Sequence, residues 1–201
     1  GGKQGIFEED NFTSPAYTLR LNYNGVPGLR VGASFYYCAN TTANSDKLVE
    51  YSFRAPLRIY TVDAQYKNSV VTARANFMWG SLTNSDRVSS VNTKLSNQSP
   101  YTRVVPVAHK AVSYGAEVGL NLAGIFRGAN VPAIYPFARY DYYNPQKKCE
   151  GLYIEDHRCE VSKWTAGVNW YALPNLVIKA DYSTRQIGTS KMFGKGKYNS
   201  E

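Results

Sequence analysis

Residues 164–183 read WTAGVNWYALPNLVIKADYS, and this stretch decides the fold. On each side of the segment 172–175, apolar and polar side chains alternate with a period of two, which is typical of a β-strand with one apolar and one polar face. The short Pro-Asn turn between the two runs predicts a hairpin. Tryptophan and tyrosine lie at the margins of the apolar face and small aliphatic residues in its middle, as expected of strands that cross a lipid layer.

The composition bounds the class of protein. The chain has 201 residues, enough for one domain with a sizeable core. Its mean hydropathy is -0.40 and it holds no run of 18 apolar residues, which argues against a transmembrane helix. Barrel strands need only about 9–11 alternating residues each, and their polar faces keep the mean hydropathy low. The composition is therefore compatible with a membrane protein built from β-strands.

The same alternation recurs along the chain. Six further strands are predicted, at 16–24, 29–38, 57–66, 69–79, 111–122 and 133–143, which makes eight with the hairpin. No ninth strand is predicted in 184–201. Tight turns alternate with long polar segments, and the long ones, at about 39–56, 80–110, 144–162 and 184–201, are predicted to be extracellular loops.

These features predict an all-β, antiparallel up-and-down transmembrane β-barrel. The apolar face carries no charge in the predicted strands, as lipid contact requires. A soluble β-sandwich that acts as a binding module also alternates, so it stays as an alternative that the loop asymmetry and the aromatic margins disfavour. The chain 1–201 is interpreted as one β-barrel domain or the C-terminal fragment of one.

The polar face supplies the candidate site. Its charged residues are predicted to line a water-filled pore, where charges remain solvated. They are Arg20, Arg30, Asp63, Arg74, Glu117, Arg139, Asp141, Lys179 and Asp181. With five basic and four acidic groups, this set predicts a weak preference for anions at most. Pairing of each basic group with its acidic neighbour is the alternative reading.

Two motifs resemble a known family: PFARYDYYN at 136–144 and GVNWY at 167–171. The second motif continues through the Pro-Asn turn to Tyr182. Both resemble the C-terminal half of Gram-negative porins, most closely the phosphate-selective (O/P) porin type found in Bacteroidota, over about the last two-thirds of the chain. The resemblance implies a multi-pass barrel in the bacterial outer membrane, passive diffusion of small polar or weakly preferred anionic solutes, and membrane lipid as a partner.

The same resemblance implies a barrel of about 16–18 strands, with further strands before Gly1 and after Glu201, and makes a homotrimer a common assembly. A small closed barrel of eight strands, acting as a structural anchor or an adhesin through its loops, is the alternative. Eight strands must either close on themselves or pair with others, because open sheet edges are not viable in lipid.

Other chemistry finds little support in the sequence. Cys149 and Cys159 bracket a loop and are interpreted as a possible disulfide, given maturation in the periplasm. With His157 they would make three zinc ligands but no fourth is evident, so no metal and no cofactor are expected. No nucleophile motif or phosphate loop is present, which predicts that the protein is not an enzyme. The net charge of +8 is scattered rather than collected on a motif, so nucleic acid is not an expected partner.

Overall fold

The computed structural model describes residues 14–44, 53–96, 106–126, 133–173, 175–188 and 198–199. These residues form nine β-strands and two short α-helices. The strands are β1 (Ala16–Val26), β2 (Leu29–Cys38), β3 (Leu57–Lys67), β4 (Val71–Leu82), β5 (Lys110–Leu120), β6 (Ala133–Lys148), β7 (Val161–Leu173), β8 (Leu176–Ile187) and β9 (Tyr198–Asn199). The helices are α1 (Ser85–Ser96) and α2 (Leu122–Ile125), and single 3-10 turns lie at Thr41–Asn44 and His157–Cys159.

All nine strands belong to one sheet in which each strand pairs antiparallel with the next along the chain. This confirms the predicted all-β, up-and-down arrangement. The described residues contain no second sheet, so the β-sandwich alternative is not favoured. Within the same residues β1 pairs with β2 alone, which gives no support to a small barrel closed by these strands. No described helix is long and apolar enough to cross a membrane.

Three details of the predicted elements are corrected by the structure. The prediction of no ninth strand was wrong, because Tyr198 and Asn199 pair with Ile187 and Gln186 at the end of β8. The segment 80–110 is not entirely loop, since it contains the 12-residue helix α1. Strand β6 runs five residues beyond the predicted end at 143, to Lys148, and so shortens the loop that follows.

Consecutive antiparallel strands place alternate connections at opposite ends of the sheet, and at one end three of the four connections have only two or three residues. Two residues join β1 to β2, and three join β3 to β4. Gly28 in the first of these turns has a φ of 80°, and a Cβ there would overlap the carbonyl oxygen of Lys67, so the turn requires glycine. In the second turn, Asn68 Oδ1 accepts from the amides of Val70 and Val71 at 2.8 and 2.6 Å.

One face of the sheet is apolar and exposed. The side chains of Leu21, Val62 and Ile178 are 66, 48 and 49% exposed, although they lie in the middle of strands. Aromatic side chains on this face form an aromatic belt near the end that carries the long connections: Phe35, Tyr60, Trp79, Tyr114, Tyr140, Tyr142 and Trp164. Ring centroids of neighbours in the belt lie 4.7–5.6 Å apart for Phe35–Tyr60, Tyr60–Trp79, Tyr114–Tyr142 and Tyr140–Trp164.

Buried apolar side chains lie elsewhere, under the long connections. We call the residues 39–44, 53–56, 83–96, 106–109 and 149–160 the loop layer. The buried apolar residues of the described chain all lie in this layer or at the strand ends next to it: Cys38, Ala55, Val88, Val91, Cys149 and Val161. The buried core of the described residues is therefore small and lies at one end of the sheet, whereas the apolar face of the sheet is exposed.

Candidate pore-lining face

The opposite face of the sheet is polar, and the strand register aligns its residues in rows. One row crosses all of β1 to β8 through Asn22, Gly32, Asp63, Asn76, Gly115, Asp141, Lys163 and Arg185. The next row toward the tight turns runs through Arg30, Gln65, Arg74, Glu117, Arg139, Thr165 and Ser183. Residues directly opposite in an antiparallel pair share a face, so the register brings the predicted charges of separate strands into contact.

Three ion pairs form among the predicted residues. Arg20 Nη2 lies 2.8 Å from Asp63 Oδ1, although their strands are separated by β2. Arg74 Nη2 pairs with Glu117 Oε1 across β4 and β5. Within β6, Arg139 holds Asp141 at two points, with Nε 2.6 Å from Oδ2 and Nη2 2.9 Å from Oδ1. Since the side chains are 20–60% exposed, these pairs are solvated and each contributes at most about 1 kcal/mol.

Glycines on this face make room for the ion pairs. A Cβ on Gly32 would overlap the Arg20 guanidinium and lie 2.9 Å from Asp63 Oδ1, so the pair between β1 and β3 passes over the bare backbone of β2. Gly115 lies between Asn76 and Asp141, and a Cβ there would lie 3.1 and 2.8 Å from their side-chain oxygens. At Gly32 the sequence thus places glycine where a long cation crosses a strand.

The remaining predicted charges have a different arrangement. Lys179 and Asp181 lie exposed on β8, and Arg30 is exposed on β2. Among the described residues none of the three forms an ion pair. Pairing of each basic residue with its acidic neighbour therefore occurs for Arg139–Asp141 and not for Lys179–Asp181.

Three basic residues of the polar face were missed by the sequence analysis, namely Lys67, Lys163 and Arg185. Strand β7 begins three residues earlier than the alternation indicated, and β8 ends four residues later. Continuing the period of two from Thr165 back to Lys163, and from Ser183 on to Arg185, would have found two of them. With these additions the strands place eight basic and four acidic residues on the polar face.

Two clefts lie among the charged residues of the polar face. The smaller, of about 290 Å³, is lined by Asp63, Arg74, Asn76, Glu117, Arg139 and Asp141. The larger, of about 830 Å³, extends over β7 and β8 and adds Lys163, Lys179, Asp181 and Arg185. Arg185 Nη2 donates to the hydroxyl of Tyr143 at 3.3 Å. We call Lys163, Lys179 and Arg185 the basic wing, because no carboxylate of the described residues pairs with them.

The connections of the loop layer are bound to one another by hydrogen bonds. The backbone N–H and the hydroxyl of Ser85, at the start of α1, donate to Glu150 Oε2 at 2.9 and 3.3 Å. Asn84 Nδ2 donates to the carbonyl of Arg54 at 2.7 Å, which joins α1 to the connection after β2. His109 Nδ1 lies 2.8 Å from the Leu82 carbonyl oxygen and 3.6 Å from Glu150 Oε2. His109 therefore belongs to this loop-to-loop contact.

The cysteines are free thiols in this structure. Burial raises the pKa of the Cys149 thiol, with smaller contributions in the same direction from Glu155 and from Cys159. Burial likewise raises the pKa of Cys159, as does Asp156, while Arg158 acts in the opposite direction. The disulfide between Cys149 and Cys159 stays a prediction. In the part of the chain that the structure describes, no three His, Cys, Asp or Glu residues form a metal-binding group.

The fold and the face together define a class: an antiparallel meander with an exposed, aromatic-bordered apolar face and a charged, hollowed polar face, as in outer-membrane β-barrels. Comparison with known proteins agrees. Residues 133–192 match the family model described as phosphate-selective porin O and P. The match confirms the resemblance to this porin type over β6 to β8 and supports an outer-membrane channel rather than an enzyme. No curated protein and no solved structure matches the chain.

Proposed function

We propose that this chain forms part of the wall of an outer-membrane porin that lets small polar solutes diffuse passively, with a weak preference for anions. The observation that carries the proposal is the opposition of the two faces. An exposed apolar face bordered by tyrosine and tryptophan suits lipid, and a hollowed face of solvated charges suits water. The long connections would face outward from the cell, and the nine predicted charges would line the pore.

The anion preference rests on the basic wing. Between β1 and β6, Arg20, Arg74 and Arg139 are each paired with a carboxylate, while Arg30 forms no ion pair with a described residue. Lys163, Lys179 and Arg185 also have no such partner among the described residues, and they lie together with Arg139 around the larger cleft. Uncompensated charge on a pore wall raises the local concentration of the oppositely charged ion. Since Asp181 lies in the same cleft, the preference is expected to be weak.

Conductance of the folded full-length protein in planar bilayers tests the channel. We expect discrete channels, and a folded, membrane-inserted protein that forms none would refute the proposal. Ion selectivity is read from the reversal potential in a salt gradient. The charge reversals Lys163→Glu and Arg185→Glu should shift it toward cation preference, whereas Arg87→Glu, on the exposed side of α1, should leave it close to that of the unchanged protein. Equal reversal potentials in all variants would contradict the proposal that the basic wing causes the anion preference.

A further inference from the structure

A second set of cations lies on the apolar face, at its border with the loop layer. The expectation that this face carries no charge was wrong for Arg58, which belongs to the predicted strand 57–66 and shares the face of Tyr60. The register places Arg58, Ser81, Lys110 and Lys148 directly opposite one another on β3, β4, β5 and β6. We call Arg58, Lys110 and Lys148 the basic row. Arg58 and Lys110 are half-buried and Lys148 is exposed. The guanidinium of Arg58 lies 5.8 Å from the ring centroid of Tyr37, so this cation is held against an aromatic ring of the same face.

The row follows directly on the aromatic belt. Arg58 is two residues from Tyr60, and Ser81 is two residues from Trp79. Two residues of a strand span about 7 Å, or about 5 Å along the membrane normal at the usual tilt. The polar layer of a bilayer is about 5–7 Å thick on each side of its hydrocarbon core. A row at this height lies among lipid headgroups.

The charges of the row are not balanced within the described residues. Lys110 and Lys148 are direct cross-strand neighbours, an arrangement in which like charges repel. Neither forms an ion pair with a described carboxylate, and the same holds for Arg58, which contacts the ring of Tyr37. An anion between these side chains would relieve the repulsion. At a membrane surface the anion available in quantity is the phosphate of a lipid headgroup, which cations bind with charge-assisted hydrogen bonds.

We propose that Arg58, Lys110 and Lys148 form a binding row for the phosphate groups of membrane lipids, in the leaflet on the side of the long connections. This inference rests on the proposed function for its membrane setting. It assigns the three cations a partner outside the pore, distinct from the solutes that the polar face would admit.

Native mass spectrometry of the folded full-length protein tests the proposal. The protein is taken from mixed micelles that contain phosphatidic acid and phosphatidylcholine with identical acyl chains. We expect preferential retention of phosphatidic acid. Because each cation near a membrane surface contributes roughly fivefold in affinity, the triple variant Arg58→Gln, Lys110→Gln, Lys148→Gln should reduce the preference by at least about tenfold. The matched control is Lys163→Gln, Lys179→Gln, Arg185→Gln, which removes the same charge from the polar face and should keep the preference.

An equal loss of preference in both triple variants would mean that net charge alone attracts the lipid. An unchanged preference in the row variant would mean that other residues bind it. Either result would overturn the proposed lipid-binding role of the basic row. Complete displacement of phosphatidic acid by inorganic phosphate would show a free-anion site and also overturn it. If the triple variant does not fold, Lys148→Gln should lose part of the preference and Lys148→Arg retain it. A failed porin proposal would appear separately, as absent channels.

Discussion

Apolar side chains are exposed in the middle of the sheet and buried in the loop layer. In the middle of β3, Val62 is 48% exposed, whereas Val91 in α1 is 6% exposed although α1 belongs to a polar, serine-rich connection. A sheet that left this many apolar residues in water would aggregate, while the loop layer buries its own as a small soluble protein does. The difference indicates two surroundings for one chain: lipid around the sheet and water around the loops.

The largest expected effect comes from placing a charge on the apolar face. Val62→Arg should destabilise the folded protein in lipid by about 2–4 kcal/mol, because a cation near the middle of the bilayer loses its hydration. Thr61→Arg, one residue away on the polar face, should cost much less. Folding into lipid vesicles in a urea titration measures both. Equal destabilisation by the two variants would contradict a lipid-facing apolar side.

A smaller effect is expected when the same methyl groups are removed from the two regions. Val91→Ala should lower the local stability of α1 by about 1.5 kcal/mol, at about 0.8 kcal/mol for each methyl group lost from a buried site. Val62→Ala should leave the exchange of the α1 amides unchanged, because Val62 lies on the apolar face of the sheet and not in the loop layer. In folding into vesicles it should cost a similar amount, since its methyl groups move from water into lipid. Hydrogen exchange of the α1 amides and vesicle folding, each measured on both variants, separate the two effects. Unchanged exchange in Val91→Ala would show that the loop layer is not a packed core.

Much of this contrast can be predicted from the sequence, because an alternation with a period of two indicates a strand and also shows which side chains share one of its faces. The alternation at 164–183 predicted β7, β8 and the sides of Trp164 and Lys179 correctly, and the family match over 133–192 covers the same region. The turn at 172–175 is tighter than expected, since β7 continues to Leu173 and pairs with Leu176 across it. Tryptophan and tyrosine at the margins of one face identified that face as the apolar one.

The features that the sequence missed depend on distant parts of the chain. The partner of Arg20 lies 43 residues away, on a strand two positions along the sheet, and only the register over Gly32 makes Asp63 that partner. The helix α1 has no strong apolar stripe, and it is stabilised by Glu150, which lies 65 residues from Ser85. The two-residue β9 is too short for any periodicity. Contacts of this kind follow from the assembled fold rather than from local pattern.

The contact between Glu150 and α1 offers a test of the loop layer alone. The carboxylate accepts from the first amide of the helix, where the macrodipole favours negative charge. Glu150→Gln keeps an acceptor and removes the charge, so it should weaken α1 by about 0.3–1 kcal/mol. Limited proteolysis between β4 and β5 would report the change, with Arg87→Gln as a control that removes an exposed charge from the same turn. Unaltered cleavage would show that Glu150 does not hold the helix.

The ion pairs on the polar face should matter less for stability than their number suggests. Gly32→Ala would displace the Arg20 guanidinium from Asp63, and because both side chains are about two-fifths exposed, the cost should be at most about 1 kcal/mol. The same change frees both Arg20 and Asp63 and leaves the net charge of the face unchanged, so the reversal potential should stay close to that of the unchanged protein. A large loss of stability would mean that this part of the face is dry, and a large shift of the reversal potential would contradict the compensation of these two charges.

The smallest expected effect concerns the reactivity of the two thiols in the loop layer. Burial raises the pKa values of both Cys149 and Cys159 above that of an ordinary thiol. Since a raised pKa leaves less thiolate at neutral pH, and the thiolate is the reactive form, alkylation of the folded reduced protein should be slow at pH 7 and should accelerate only above the usual thiol range. The same protein unfolded in denaturant is the control and should react faster at pH 7. Equal rates would show that these thiols are not buried, and complete resistance with the mass of the oxidised form would establish the predicted disulfide.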